Sequence, residues 1–325
     1  MNSKDVNMRQ IAQKLNISTA TVSRALNNPE KVKTATLERV LKAVEEMNYV
    51  PRQQLPASSN VIAYMMGFTD NAFYNNFYSH ITNLAKERDM YVLSCATNGN
   101  PEIESTMFEY FKRMNCSGII LSGLFKMNNI VSSVPVVLLS SPQNTQGNIY
   151  TVHSDSDCSI KMLVDYLVKL NHKRIGFING DDKTYASIER FSAFKKYMKI
   201  MDLDFSDDDV YYGNFTLKSG IDAFDYFFSR PKLPTAIIAA NDDMAKGFIL
   251  RANSLGIKIP DDISICGIDA VDNDVFQPKI TSIKQDVNAI AKQTFSIILD
   301  GKPAQSPVDF VIPVSFSPGQ TCYRI

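Results

Sequence analysis

Net charge, cysteine and histidine are all scarce in this chain, and each scarcity excludes something. Lys plus Arg number 34 and Asp plus Glu number 34, so no overall basicity marks the 325 residues as a nucleic-acid binder. The five cysteines (Cys95, Cys116, Cys158, Cys266 and Cys322) are odd in number, widely spread and never spaced C-x-x-C. That pattern argues against a disulfide framework or a zinc cluster and for a reducing compartment. The three histidines (His80, His153 and His172) are scattered, which leaves no Ser/His or Cys/His dyad and no metal-ligand spacing. No apolar run approaches the roughly 20 residues that span a bilayer. The opening MNSKDVNMRQ has no apolar stretch of the secretory kind, so a cytoplasmic protein without membrane contact is expected. Also missing are G-x-G-x-x-G after the first strand, G-x-x-x-x-G-K-[ST] and G-x-S-x-G. The expectation is a protein that is not an enzyme, with no catalytic residue, no cofactor and no metal.

What is present is a globular composition, 45% apolar with 28 Gly plus Pro positions, and a length that calls for two or three domains. The charge is unevenly placed. Residues 1–52 carry nine Lys/Arg against five Asp/Glu, a balance of +4 that leaves the rest of the chain at −4. A basic head on an acidic body is the asymmetry to explain.

The head reads as three short helices. Met8, Ile11, Ala12 and Leu15 share one helical face, and Asn16-Ile17-Ser18 interrupts the pattern. Asn16 tolerates a left-handed turn, and Ser18 is placed to cap a second helix over about Thr19 to Asn27. A third runs from about Thr34 to Asn48, with Leu37, Val40, Leu41, Val44 and Met47 inward. Small Ala12 lets the second helix cross closely, Ile17 fills the angle and Val22 packs back, as a tight two-helix unit requires. The second helix, about nine residues and ~13 Å long at ~1.5 Å per residue, suits the major groove of B-DNA. Its outward positions are Thr19, Ala20, Ser23 and Arg24.

The segment Pro51 to Asn60, with two prolines and a run of small polar residues, marks a linker. From Val61 onward, short apolar runs alternate with helical stretches: Val61–Met66, Gly118–Leu121, Val134–Leu139, Arg174–Ile178, Thr235–Ala240 and Asp262–Gly267 are the expected strands. Such alternation argues for parallel sheets covered on both faces, and its length for two lobes with a cleft between them.

The stretch MRQIAQKLNISTATVSRALNN, followed by TLERVLKAVEEMNYVP, resembles the head of the lactose-repressor/galactose-repressor (LacI/GalR) family of transcriptional regulators. The resemblance implies that Thr19 and Ala20 face base edges, that Arg24 reaches a guanine or a phosphate, and that Thr21 and Ser23 offer hydroxyls to phosphate oxygens. Arginine's fork takes guanine O6 and N7 together, and one head covers too few base pairs to define a site. A homodimer on palindromic double-stranded operator DNA is therefore expected. The linker departs from the family: it is shorter, and Leu55, the one candidate for a minor-groove wedge, is followed by Pro56, which disfavours a regular hinge helix. Arg52, Gln53 and Gln54 remain candidates for phosphate or minor-groove contact.

The body resembles the same family's effector-binding core, which shares the periplasmic sugar-binding fold. The matching blocks are DNAFYNNF, SGIILSG, LVKLNHKRIGFING, RFSAF, PTAIIAANDDMAKG, GIKIPDDISICGID and PKITSIKQD. The resemblance implies an α/β protein: a helix-turn-helix domain (1–50), a linker (51–60) and a two-lobed core of doubly wound parallel sheets (61–325). The first lobe would hold about 61–155 plus 286–325, and the second about 156–285. Ligands of such sheets bind beyond the carboxyl ends of the strands, and by family position the expected contacts are Phe73, Tyr74, Asp155, Arg190, Phe215, Asn241 and Asp269.

The expected effector is a sugar or sugar derivative, and the protein a repressor of a carbohydrate-utilisation operon. A nucleobase-type ligand or a protein partner is the alternative. Asp242 reads equally as a helix N-cap, His172 as structural, and the acidic run Asp202 to Asp209 as a solvated loop. The absence of a leucine-heptad helix at the C-terminus points to a dimer.

Overall fold

The structure, a computed structural model, describes residues 7–47, 60–123, 130–140, 149–203, 205–271 and 275–325. It divides into two compact units, Met1–Ala57 and Ser58–Ile325. Arg52 and Leu55, expected in the linker, lie outside the described residues.

In the first unit, α1 (Met8–Leu15) opens on Asn7, whose side chain accepts from the Gln10 amide while Gln10 bonds back to the Asn7 amide. This reciprocal cap satisfies two amide donors that would otherwise lack partners. The helix stops at Asn16, which adopts the left-handed conformation at φ 53°. Ser18 then caps α2 (Thr19–Asn27), accepting from the Thr21 amide at 3.1 Å. After one turn of 3₁₀ helix comes α3 (Thr34–Glu46). Ile11, Ala12, Val22, Ala25, Val40 and Ala43 are buried at the centre, with Met8, Leu15, Ile17, Leu26 and Leu37 packed around them. Leu41, expected inward, is exposed.

The second unit begins with β1 (Val61–Met66), α4 (Ala72–Lys86), β2 (Tyr91–Ala96), α5 (Pro101–Arg113), β3 (Gly118–Ser122), β4 (Val136–Leu138) and β5 (Tyr150–Ser154). There follow α6 (Ser156–Lys169), β6 (Ile175–Asn179), α7 (Tyr185–Ile200), β7 (Val210–Tyr212), α8 (Leu217–Phe228), β8 (Ala236–Ala239), α9 (Asp242–Ser254), β9 (Ser264–Asp269) and β10 (Thr281–Gln285). The chain ends with α10 (Val287–Asp300), β11 (Val308–Ile312) and β12 (Val314–Ser317).

Two six-stranded sheets result, in the orders β11-β5-β4-β3-β1-β2 and β12-β10-β9-β8-β6-β7. Every pairing is parallel except β10 with β12. Strands β3, β6 and β8 are buried at every position because helices cover both faces, so they read as continuous apolar runs rather than alternating ones. The edge strand β2 alternates instead and leaves Tyr91 and Leu93 exposed.

The chain passes between the sheets at Ser154–Asp155, at Gln285–Asp286 and again at Pro313. The last crossing was not expected. Residues 286–325 were assigned to the first lobe, but β12 pairs with β10, and the Ile265 amide donates to the Thr321 carbonyl. The tail after Pro313 therefore completes the second lobe. Only α10 and β11 belong to the first.

Candidate functional site

On the first unit, the geometry of α2 decides which side chains are available. Val22 and Ala25 are buried, which turns Thr19, Ala20 and Arg24 outward into solvent. Thr21 and Ser23 are half-buried, and the Thr21 hydroxyl lies 2.9 Å from that of Ser18. Short polar residues at an exposed helix N-terminus, with a guanidinium one turn on, offer what phosphate and base-edge contacts need.

In the second unit, the strand ends of both sheets face one cleft, lined from both lobes. From the first lobe, Asn71 caps α4 by accepting from the Tyr74 amide at 3.1 Å, so Phe73 and Tyr74 fall in the first turn and line the cleft. Their rings meet edge to face at 5.5 Å. Leu139 and Ser140, just past β4, and His153 and Ser154, at the end of β5, complete this side. Burial raises the Tyr74 hydroxyl to a pKa of about 12, Arg190 opposing that rise and Asp269 adding to it.

The second lobe supplies the charge. Arg190, in the second turn of α7, is only 8% exposed and donates through one terminal nitrogen to the Ala240 carbonyl. Asn241 caps α9, accepting from the Met244 amide at 3.0 Å and donating to the Phe215 carbonyl at 2.9 Å. That second bond pins a residue held at φ 65°, and the Phe215 ring covers Gly180, where a Cβ would lie 2.1 Å from it. Only glycine leaves room for the ring. Asp269 ends β9 at φ 132° and accepts from the side-chain Nε2 of Gln285. Burial pushes its carboxyl to about 8; Arg190 opposes this shift and Asp242 reinforces it.

Six of the seven expected contact residues thus line one cavity. Asp155 does not: it caps α6, accepting from the Cys158 amide at 2.8 Å, and faces a neighbouring recess. Asp242 is not the cap of α9, a role Asn241 fills. It sits one residue inside the helix, is buried, and accepts from the Ser282 hydroxyl at 2.7 Å and the Ala270 amide at 2.8 Å. Burial raises its carboxyl to about 6. His172 is buried, with Nδ1 2.9 Å from the Thr235 hydroxyl and Nε2 3.0 Å from the Tyr323 carbonyl, which makes it structural. Asp209 pairs with Arg174 and Asp208 with Arg230. Among the described residues no cluster of His, Cys, Asp and Glu could hold a metal.

The sequence reading missed Ser140, His153, Ser154, Tyr185, Glu189 and Gln285, all of which line the cleft. Gln285 is the penultimate residue of the block PKITSIKQD, and its position at a strand end was a usable signal. Ser140 and Ser154 carried none.

Comparison with known proteins matches two family models to the chain: the bacterial regulatory proteins of the lacI family over residues 7–52, and the periplasmic binding protein-like domain over residues 164–322. The HTH-type transcriptional repressor PurR of Vibrio parahaemolyticus is 27% identical over 90% of this chain and 91% of its own length. The HTH-type transcriptional repressor CytR of Escherichia coli K12 is 28% identical over 92% and 90%. The chain belongs to the LacI/GalR family.

Solved structures share the fold. A lac repressor dimer bound to operator and the anti-inducer ONPF superposes with a TM-score of 0.72 at 22% identity, covering 98% of this chain and 100% of that one. A transcriptional regulator CelR–cellobiose complex gives 0.71 at 21%, over 97% and 99%. As a LacI/GalR member the chain is a ligand-responsive, DNA-binding repressor rather than an enzyme. None of its described helices is long and apolar enough to cross a membrane.

Proposed function

We propose that the cleft takes a neutral, hydroxyl-rich ring, a sugar or sugar derivative, and that its occupancy sets the affinity of a cytoplasmic homodimer for a palindromic operator upstream of carbohydrate-utilisation genes. The observation that carries this reading is the lining itself. The cleft is lined by the aromatic rings of Phe73, Tyr74 and Phe215, by one guanidinium, Arg190, and by the carboxyl groups of Glu189 and Asp269. With Asp269 protonated at neutral pH, the Glu189 carboxylate balances the one guanidinium, which leaves no excess positive charge to hold a phosphorylated ligand. Alternating donors and acceptors over apolar faces suit vicinal hydroxyls on a ring. The cellobiose complex of CelR and the D-xylulofuranose complex of another regulator of this fold lend the sugar class support.

In the head, Thr19, Ala20, Thr21, Ser23 and Arg24 are the proposed DNA contacts, with Arg52 and Leu55 added from the linker. Phosphate contacts made by the basic head would give affinity that falls with salt. One observation favours a second reading. A carboxyl with a pKa of about 8 is protonated at neutral pH, and a protonated carboxyl both donates and accepts, matching the edge of a nucleobase.

Titration calorimetry of the full chain with D-glucose, D-xylose, cellobiose, maltose, adenosine and cytidine separates the readings. Heat from a saccharide supports the first, heat from the nucleosides alone supports the second, and no heat from any overturns both.

A further inference from the structure

Two successive residues at the end of β9 hold unusual backbone conformations: Asp269 at φ 132° and Ala270 at φ 48°. Residues other than glycine rarely adopt such angles, and a fold keeps them only where neighbours fix them. Asp269 lines the cleft, so the turn that carries this strain also aims one of the cleft's carboxyls.

The neighbour that fixes the turn is Asp242. This residue opens α9, is 3% exposed and does not itself line the cleft. Its Oδ2 accepts from the Ala270 amide at 2.8 Å, and its Oδ1 accepts from the Ser282 hydroxyl at 2.7 Å. Ser282 stands on β10 opposite Gly267 of β9. A Cβ on Gly267 would lie 2.1 Å from Asp242 Oδ1, so only glycine there leaves room for the carboxyl. One side chain thus ties the start of α9 to the end of β9 and to β10. The start of α9 is held in turn by Asn241, which donates to the Phe215 carbonyl at 2.9 Å.

We infer that Asp242 is a positioning residue for the effector site: by holding the Ala270 amide it keeps Asp269 directed at the ligand, without touching the ligand itself. The place requires an acceptor rather than a charge. Burial raises the Asp242 carboxyl to about 6, so the charged form is disfavoured there. An asparagine meets the requirement, since its carbonyl oxygen accepts from the Ala270 amide while its NH2 donates to the Ser282 hydroxyl. This inference rests on the cleft being the effector site and on Asp269 meeting the effector, whether saccharide or nucleoside.

The test is calorimetry of the full chain with the six probes already named, on the variants Asp242→Ala, Asp242→Asn, Ser282→Ala and Asp209→Ala. Asp209→Ala is the control for damage to the same lobe: Asp209 is 1% exposed, pairs with Arg174 and lies outside the cleft. Any probe that binds the wild type is expected to bind Asp242→Ala about tenfold and Ser282→Ala about threefold more weakly. Asp242→Asn and Asp209→Ala should stay within about twofold of the wild type, although Asp209→Ala lowers the ligand-free Tm.

Unchanged affinity in Asp242→Ala and Ser282→Ala overturns the positioning role and leaves the reading of the cleft intact. A loss in Asp242→Asn as large as that in Asp242→Ala also overturns it. So does an equal loss in Asp209→Ala, which would mark general damage to the lobe. If Asp242→Ala does not fold, Ser282→Ala and Asp242→Asn decide the matter. Should no probe bind the wild type, the reading of the cleft falls, and the role of Asp242 with it.

Discussion

The first lobe meets the cleft with Phe73, Tyr74, Ser140 and Ser154, whereas the second meets it with Arg190, Glu189, Asn241 and Asp269. The second-lobe groups are held from several directions. Asn241 is tied to Met244 and Phe215, Asp269 to Gln285, and Arg190 to Ala240, so the charged side exists before any ligand arrives. The Ser140 and Ser154 hydroxyls of the first lobe have no such partner. The contrast assigns anchoring to the second lobe. A ligand held by a preformed charged wall shifts the inter-lobe equilibrium by its differential affinity for the two arrangements.

The largest expected effect breaks the anchor. Arg190→Ala removes a charged donor from a dry site and lowers effector affinity about 100-fold by calorimetry. Phe73→Ala on the opposite wall removes one apolar face and costs about tenfold. If Phe73→Ala proves the more damaging of the two, the division of labour between the lobes is wrong.

The pH dependence sharpens the same comparison, because the raised carboxyls belong to the second lobe. Asp242 and Asp269 have folded pKa values of about 6 and about 8, above the ordinary 3.8. Between pH 4 and pH 8 these two carboxyls thus hold more protons in the folded state than in the unfolded one, and the stability they contribute falls as pH rises through that window. The ligand-free Tm is expected to drop by about 5 °C or more from pH 5 to pH 8. Asp269→Asn should remove the slope above pH 6 and roughly halve it between pH 4 and pH 6, where Asp242 still contributes.

The smallest effect concerns the head. Arg24→Ala is expected to weaken operator binding and to reduce the slope of log K against log salt by about 1 if the side chain meets a phosphate. Effector affinity should not change.

Much of this was legible because local rules and tertiary context agreed. Asn7, Asn16 and Ser18 announce the ends of α1 and α2, and the buried strands read as unbroken apolar runs because helices cover both faces. Three things were not legible. The return of β12 to the second sheet is a choice made by long-range pairing, and nothing within Val314–Ser317 encodes it. The capping role of α9 passed from Asp242 to Asn241 because Ser282 and the Ala270 amide, both distant in sequence, claim the Asp242 carboxyl. Ser140 and Ser154 join the cleft only because β4 and β5 stop where they do, and a serine after an apolar run looks the same at any strand end.

The central claim is that occupancy of the cleft controls the head. Its most direct test is fluorescence anisotropy of the full chain on a duplex selected from random sequence, with and without a compound that calorimetry shows to bind. For the wild type, a change in Kd of at least about fivefold is predicted, in line with allosteric couplings of about 1–3 kcal/mol. The change should disappear in Arg190→Ala while its ligand-free DNA affinity stays the same. A bound compound that leaves the wild-type Kd for DNA where it was would contradict the account.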